Sequence, residues 1–164
     1  MSADLKSSGL EGVVAGKTEI CSVEQGELVY RGYEIHDLAT NATFEEVAFL
    51  LLIGHKPSER ELADFIAELK DHRALQPPVV DFLRAAKPML ASGSAVPMDV
   101  LRTAVSIAGN VDKRSQDISH EANLAKAKRL TAKIPTMIGH MQNVIDGRDL
   151  VAPDPSLSHA ANLL

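Results

Sequence analysis

The amino-acid sequence predicts an all-α fold with a small β-hairpin near its amino-terminal end, on three observations. Aromatic residues make up 4% of the 164 residues and Trp is absent, so Leu, Ile, Val, Ala and Met must build the core. That palette suits packed helices better than an aromatic-rich sandwich. Two Ser/Thr-x-x-Glu phrases, Thr43-Phe44-Glu45-Glu46 and Ser58-Glu59-Arg60-Glu61, each open a helical stretch, the signature of a capped helix start. From residue 43 onward, apolar residues recur at helical spacing.

Composition bounds the function classes. At 45% hydrophobic and 24% charged, the chain has the balance of one globular domain with a sizeable core. Seventeen basic against twenty-two acidic residues leave a net charge of −5, which argues against nucleic acid as a partner. Cys21 stands alone, so no internal disulfide forms, and one thiol fits a reducing compartment. Met1 to Ser8 lack the apolar run of a signal peptide, and the longest apolar stretch, Val47 to Ile53, is too short to span a bilayer. These features make a cytoplasmic protein without a membrane partner the expectation.

Along the chain, Gly9, Gly12 and Gly16 make an irregular start. Their spacing is not a phosphate loop, because no strand feeds it and no helix opens from it. Thr18 to Val23 and Glu27 to Arg31 are short β-prone runs around Glu24-Gln25-Gly26, a hairpin with Gly26 in its turn. Thr43 caps a helix that ends near Gly54, with Pro57 beyond. Ser58 caps the next, whose Leu62, Phe65, Ile66 and Leu69 form one stripe. Pro77-Pro78 opens a third helix carrying Val79, Val80, Phe82 and Leu83, closed near Pro88. A loop from Ala91 to Ala95 leads to Pro97, a first-turn proline for a helix over Met98 to Ala108, with Gly109 as its stop signal. Val111 to Ile118 reads as a loop. A long helix from Ser119 to about Asp146 comes next, with Leu124, Ile134, Met137, Ile138, Met141 and Ile145 as most of its apolar side, a bend at Pro135 and an end at Gly147. Asp154-Pro155 is expected to start a last helix with Leu157, Ala160, Ala161 and Leu164 on one side, and the chain then stops as if cut inside it.

No catalytic constellation is legible from residue types. The histidines are His36, His55, His72, His120, His140 and His159, and no two share a helix face at a metal-ligand spacing. His120-Glu121 begins like a zinc-protease motif, but Leu124 takes the second histidine's place. Cys21 has no cationic neighbour and reads as a structural thiol. His36-Asp37 and Asp71-His72 are sequence neighbours that point away from each other on a helix, so surface or capping roles suit them best. Lys126, Arg129 and Lys133 form a basic stripe that could meet a phosphate or a carboxylate, with a solvated helix face as the commoner reading.

A series of local phrases in order goes further. Gly9-Leu10-Glu11-Gly12-Val13 leads to Glu27-Leu28-Val29-Tyr30-Arg31-Gly32-Tyr33-Glu34-Ile35, then to Thr43-Phe44-Glu45-Glu46-Val47-Ala48-Phe49-Leu50-Leu51. Pro97-Met98-Asp99-Val100-Leu101-Arg102-Thr103-Ala104-Val105-Ser106 and Ala132-Lys133-Ile134-Pro135-Thr136 are next, and Ala152-Pro153-Asp154-Pro155-Ser156-Leu157-Ser158-His159-Ala160-Ala161-Asn162 comes last. This order resembles the amino-terminal part of the citrate synthase and 2-methylcitrate synthase family in its shorter bacterial and archaeal form. Two departures stand out: Val96 precedes Pro97-Met98-Asp99 where the family commonly has His, and the loop from Ala86 to Ala95 looks longer than in compact members.

The resemblance implies that residues 1–164 are the amino-terminal part of the helical large domain, with its carboxy-terminal part and the small domain absent. It implies an acyltransferase of the tricarboxylic acid cycle that condenses acetyl-CoA with oxaloacetate to give citrate and CoA, or uses propionyl-CoA as a 2-methylcitrate synthase. A homodimer is the implied assembly. In the family an aspartate takes the α-proton of the thioester, and two histidines polarise the enol and the oxaloacetate carbonyl. Those residues lie downstream of the Ser158-His159 phrase, so no catalytic residue maps here, and His159 matches a helix position instead. The segment alone is expected to be inactive and to bind no cofactor or metal. A non-catalytic helical association module is the competing expectation.

Overall fold

The computed structural model describes residues 16–24 and 26–163. The phrase at Gly9 to Val13, and Leu164, lie outside the described residues.

The expected hairpin is present. β1 (Cys21–Glu24) and β2 (Glu27–Tyr30) pair antiparallel with Glu24 opposite Glu27, and Gly26 sits between the strands at φ 90°. A third strand goes beyond the expectation. Tyr30 is opposite Tyr33 on β3 (Tyr33–Glu34), so Arg31 and Gly32, at φ 50° and 86°, form a second tight turn. Positive φ at both central residues is the geometry that matches strand twist. Cys21 is exposed on its strand rather than packed in the core.

Seven helices come after the strands among the described residues. α1 (Ile35–Asn41) is not foreshadowed by the capping signals, because its cap is Glu34, whose carboxylate accepts from the amides of His36 and Asp37 at 2.7 and 2.8 Å. α2 (Phe44–Ile53) and α3 (Glu59–His72) start at the two capping boxes, and in both the cap hydroxyl and the glutamate are reciprocally bonded. Gly54, at φ 104°, ends α2. α4 (Pro77–Ala85) ends earlier than Pro88, and a further short helix, α5 (Lys87–Ala91), occupies much of the expected Ala86–Ala95 loop. Pro88 lies in its first turn, where a missing N–H costs nothing.

α6 (Pro97–Asn110) runs through Gly109, which therefore does not act as a stop. The chain tightens just past the helix end instead, with the Asp112 N–H bonded to the Gly109 carbonyl at 3.2 Å, and needs no left-handed residue. α7 (His120–Ile145) is capped by Ser119 and continues through Pro135. It closes as expected at Gly147, φ 71°: the Arg148 amide reaches Asn143 at 2.7 Å and the Gly147 amide reaches Val144 at 3.2 Å. Those two bonds satisfy the last carbonyls in a Schellman arrangement.

The helix expected from Asp154 does not form among the described residues; 155–157 and 159–163 are turns and a bend. Other groups hold its backbone. The Asp154 amide donates to Asn162 Oδ1, the His159 amide to Glu45, and the Asp154 and Leu157 carbonyls accept from Arg73.

α7 packs on α3, α4, α5 and α6 and joins two core clusters. One gathers Val79, Leu83, Ala86, Leu90, Val100, Ala104, Met137 and Met141; the other gathers Phe49, Phe65, Leu69 and Ala132. The buried face of α7 is shifted from the expected stripe. Ile138 and Ile145 are exposed, while Lys133, Thr136 and His140 are buried beside Met137, Met141 and Val144.

Candidate functional site

Two places gather buried polar side chains. The first lies where the start of α2 and the end of α3 meet residues 154–162. Arg73, 3% exposed, caps the α3 end and directs Nη1 at the Asp154 and Leu157 carbonyls, both at 3.0 Å, and at Asn162 Oδ1 at 3.4 Å. Glu45, in the first turn of α2, accepts from the His159 amide at 2.8 Å. The His159 ring stacks on Phe44, with centroids 4.3 Å apart and planes 3° from parallel. Burial holds the His159 imidazole below the usual histidine range; Glu45 acts against that and Arg73 with it. His159 Nδ1 has no partner among the described residues. The arrangement is a latch that fixes a turn-rich segment to two helices.

The second is a groove between α6 and α7, roofed by the 112–118 loop and bordered by Gln76. The basic stripe read from the sequence lies here, but Lys133 is not on a solvated face: it is 7% exposed. Arg129 Nη2 pairs with Asp112 at 2.6 Å, and Lys126 Nζ holds the Ser115 and Asp117 carbonyls at 3.3 and 2.6 Å. Burial, then the Arg129 charge, disfavour the proton on Lys133, opposed by Asp112.

The remaining sequence candidates stay apart. His36 uses only its backbone in capping, and Glu121 pairs with Arg114 rather than joining His120. His55 pairs with Glu61 at 3.2 Å. Burial lowers the His72 pKa. His140, 8% exposed, bonds the Val151 carbonyl through Nε2 at 3.0 Å and leaves Nδ1 unpartnered among the described residues. Among the described residues no group of three or more His, Cys, Asp or Glu is placed to hold a metal ion. Sequence reasoning missed Glu45, Arg73 and His140, because each looks like an ordinary surface residue until distant parts of the chain converge on it.

The family model described as citrate synthase, C-terminal domain, matches residues 9–164. The chain belongs to the citrate synthase family. It is 43% identical to the citrate synthase of Haloferax volcanii, across 100% of this chain and 43% of that protein. It is 38% identical to the 2-methylcitrate synthase of Mycobacterium tuberculosis, across 98% of this chain and 39% of that protein. The structure of citrate synthase from Pyrobaculum aerophilum superposes with a TM-score of 0.82 at 35% identity, covering 94% of this chain and 40% of that one. The chain thus spans about two fifths of the length of the relatives it matches. The predominantly helical fold is that of citrate synthases, and no described helix is long and apolar enough to cross a membrane.

Proposed function

We propose that residues 1–164 form the amino-terminal part of the large domain of a citrate synthase, and that the whole protein condenses acetyl-CoA with oxaloacetate to give citrate and CoA. The observation that carries this reading is the 43% identity to Haloferax volcanii citrate synthase along the whole chain. This part supplies scaffold: α7 as the central strut, and the Arg73–Glu45–His159 latch that sets the path of residues 154–162 across α2 and α3. It contributes no proton-transfer group and no cofactor or metal ligand. The protein acts as a homodimer in the cytoplasm.

Release of free CoA thiol by the whole protein tests the reading. Oxaloacetate-dependent release from acetyl-CoA is expected, and its absence with every acyl-CoA would leave the non-catalytic association module standing. A second reading has its own support, the 38% identity to the Mycobacterium tuberculosis 2-methylcitrate synthase. A higher kcat/KM for propionyl-CoA than for acetyl-CoA would select it.

A further inference from the structure

We propose that residues 154–162 form a strap that opens locally from α2 and α3 while the helices stay folded, with the His159 ring as its proton-sensitive anchor. This goes beyond the family reading and does not depend on it.

The strap has little structure of its own. Its internal backbone bonds are isolated: Asn162 N–H donates to the Ser158 carbonyl at 3.1 Å and Leu157 N–H to the Asp154 carbonyl at 3.4 Å, neither continuing into a helix. Segments with few buried contacts and no hydrogen-bonded ladder open at a free energy below that of global unfolding. Across residues 151–163, His159 is the one buried residue, at 6% exposed. Its ring, stacked on Phe44, is therefore the apolar anchor; the other ties are the Arg73 bonds and the His159 amide to Glu45.

That anchor titrates. An imidazolium donates through both ring nitrogens, and His159 Nδ1 is buried without a partner among the described residues, so the cation leaves a donor unpaired when the strap is closed. Opening gives that N–H to water. The charges around the ring come from each element it touches. Glu45 on α2 favours the cation, as does the face of Phe44, while Arg73 at the end of α3 opposes it. Burial is the largest influence and outweighs Glu45, which holds the proton affinity of the closed ring below the usual histidine range. On the strap itself Asp154 faces Arg73 and Lys70, and its bonds from Ser156 keep it charged well below neutral pH, so it does not titrate in the same window. The open strap thus binds the proton more readily than the closed one. Closure is fully supported above about pH 6.5 and weakens as pH falls from there.

Native-state hydrogen exchange of the full chain, with rates corrected for the intrinsic effect of pH, tests this. At pH 7 the His159 amide should be at least about tenfold less protected than the amides of Met137 and Met141 in α7, the mark of local opening. Between pH 7 and pH 5 its protection should fall by a further factor of about three or more. His159→Phe, which keeps a ring against Phe44, should lose that pH dependence, and Asp154→Asn should retain it. If His159→Phe does not fold, an NMR titration of the His159 ring in the native chain replaces it, and its midpoint should coincide with the loss of amide protection. Protection of His159 equal to that of Met137 and Met141 would mean that the strap opens only with the whole fold, and overturns the proposal. So would unchanged protection at the two pH values, an equal fall in His159→Phe, or a ring that titrates while the His159 amide stays protected.

Discussion

At the scale of single residues, the caps and the latch carry different weights. Thr43 accepts from the Glu46 amide at 3.2 Å while Glu46 reaches back to the Thr43 amide at 2.7 Å, so Thr43→Ala should lower unfolding stability by about 1 kcal/mol in urea titrations. Ser58 holds the Glu61 carboxyl down to about 2 from its ordinary 4.5. A depressed carboxylate stabilises the fold above its unfolded pKa, and that contribution fades as pH falls through the folded value. The stability gap between the native chain and Glu61→Gln should therefore narrow between about pH 4.5 and 2, as followed by thermal melts. His159 obeys the same sign for a different reason. Burial disfavours its charged form, so the unfolded chain binds the proton more readily and stability drops as pH falls below about 6.5. His159→Phe keeps a ring against Phe44 and removes the titration. Its melting temperature should fall less between pH 7 and pH 5 than that of the native chain, and an identical fall in both would assign the acid sensitivity to other groups. The two capping boxes are legible in the sequence because their grammar is local. Arg73, Glu45 and His159 are not, since their partners lie 81 to 114 residues away along the chain.

At the scale of elements, sequence signals suffice where one element speaks for itself and fail where tertiary contacts decide. α2, α3 and α7 begin at their hydroxyl caps, and Gly54 and Gly147 end α2 and α7 in the left-handed region. The missing last helix shows the opposite case. Pro155 and the apolar spacing of Leu157, Ala160 and Ala161 are helix-compatible, yet Arg73 and Glu45 capture the backbone groups that a helical ladder would use. α7 lies between these extremes: its length is legible, but its buried face includes Lys133, Thr136 and His140, polar types that periodicity assigns to water. Packing against α7 makes α4 sensitive. Leu83 is fully buried in the larger cluster, so Leu83→Ala should cost about 2–5 kcal/mol by chemical denaturation, the range for a cavity left in a close-packed core. Pro135 cannot donate to the Thr131 carbonyl, and its ring crowds the preceding turn. Pro135→Ala should supply that bond, seen as slow hydrogen exchange of the new amide, and reduce the bend expected there. A fast-exchanging amide at that position would mean that surrounding packing, not the ring, holds the local geometry.

At the scale of the whole molecule, the question is what residues 1–164 do unaided. Many of their described titratable groups are already committed to structure. Glu45 holds a backbone amide, Asp112 holds Arg129, Asp117 and Glu121 hold Arg114, and His140 holds a carbonyl. Condensing a thioester with a ketone needs a base at one carbon and a donor at the other oxygen, both within about 3 Å of substrate. No such base and donor emerge from the two polar gatherings: the latch is closed on itself, and the groove offers cations with no free carboxylate. The relatives extend well past the stretch matched here, with about three fifths of their length beyond this chain's coverage. The purified 164-residue chain is therefore expected to release no CoA from acetyl-CoA in the presence of oxaloacetate. A thiol-trapping assay decides it, with circular dichroism as the check that helices are present. Oxaloacetate-dependent turnover by a contaminant-free preparation would show that a base and a donor do meet within these residues. An inactive chain that regains turnover when joined to the remainder of a relative such as the Haloferax volcanii enzyme would place the chemistry in that remainder and the scaffold here.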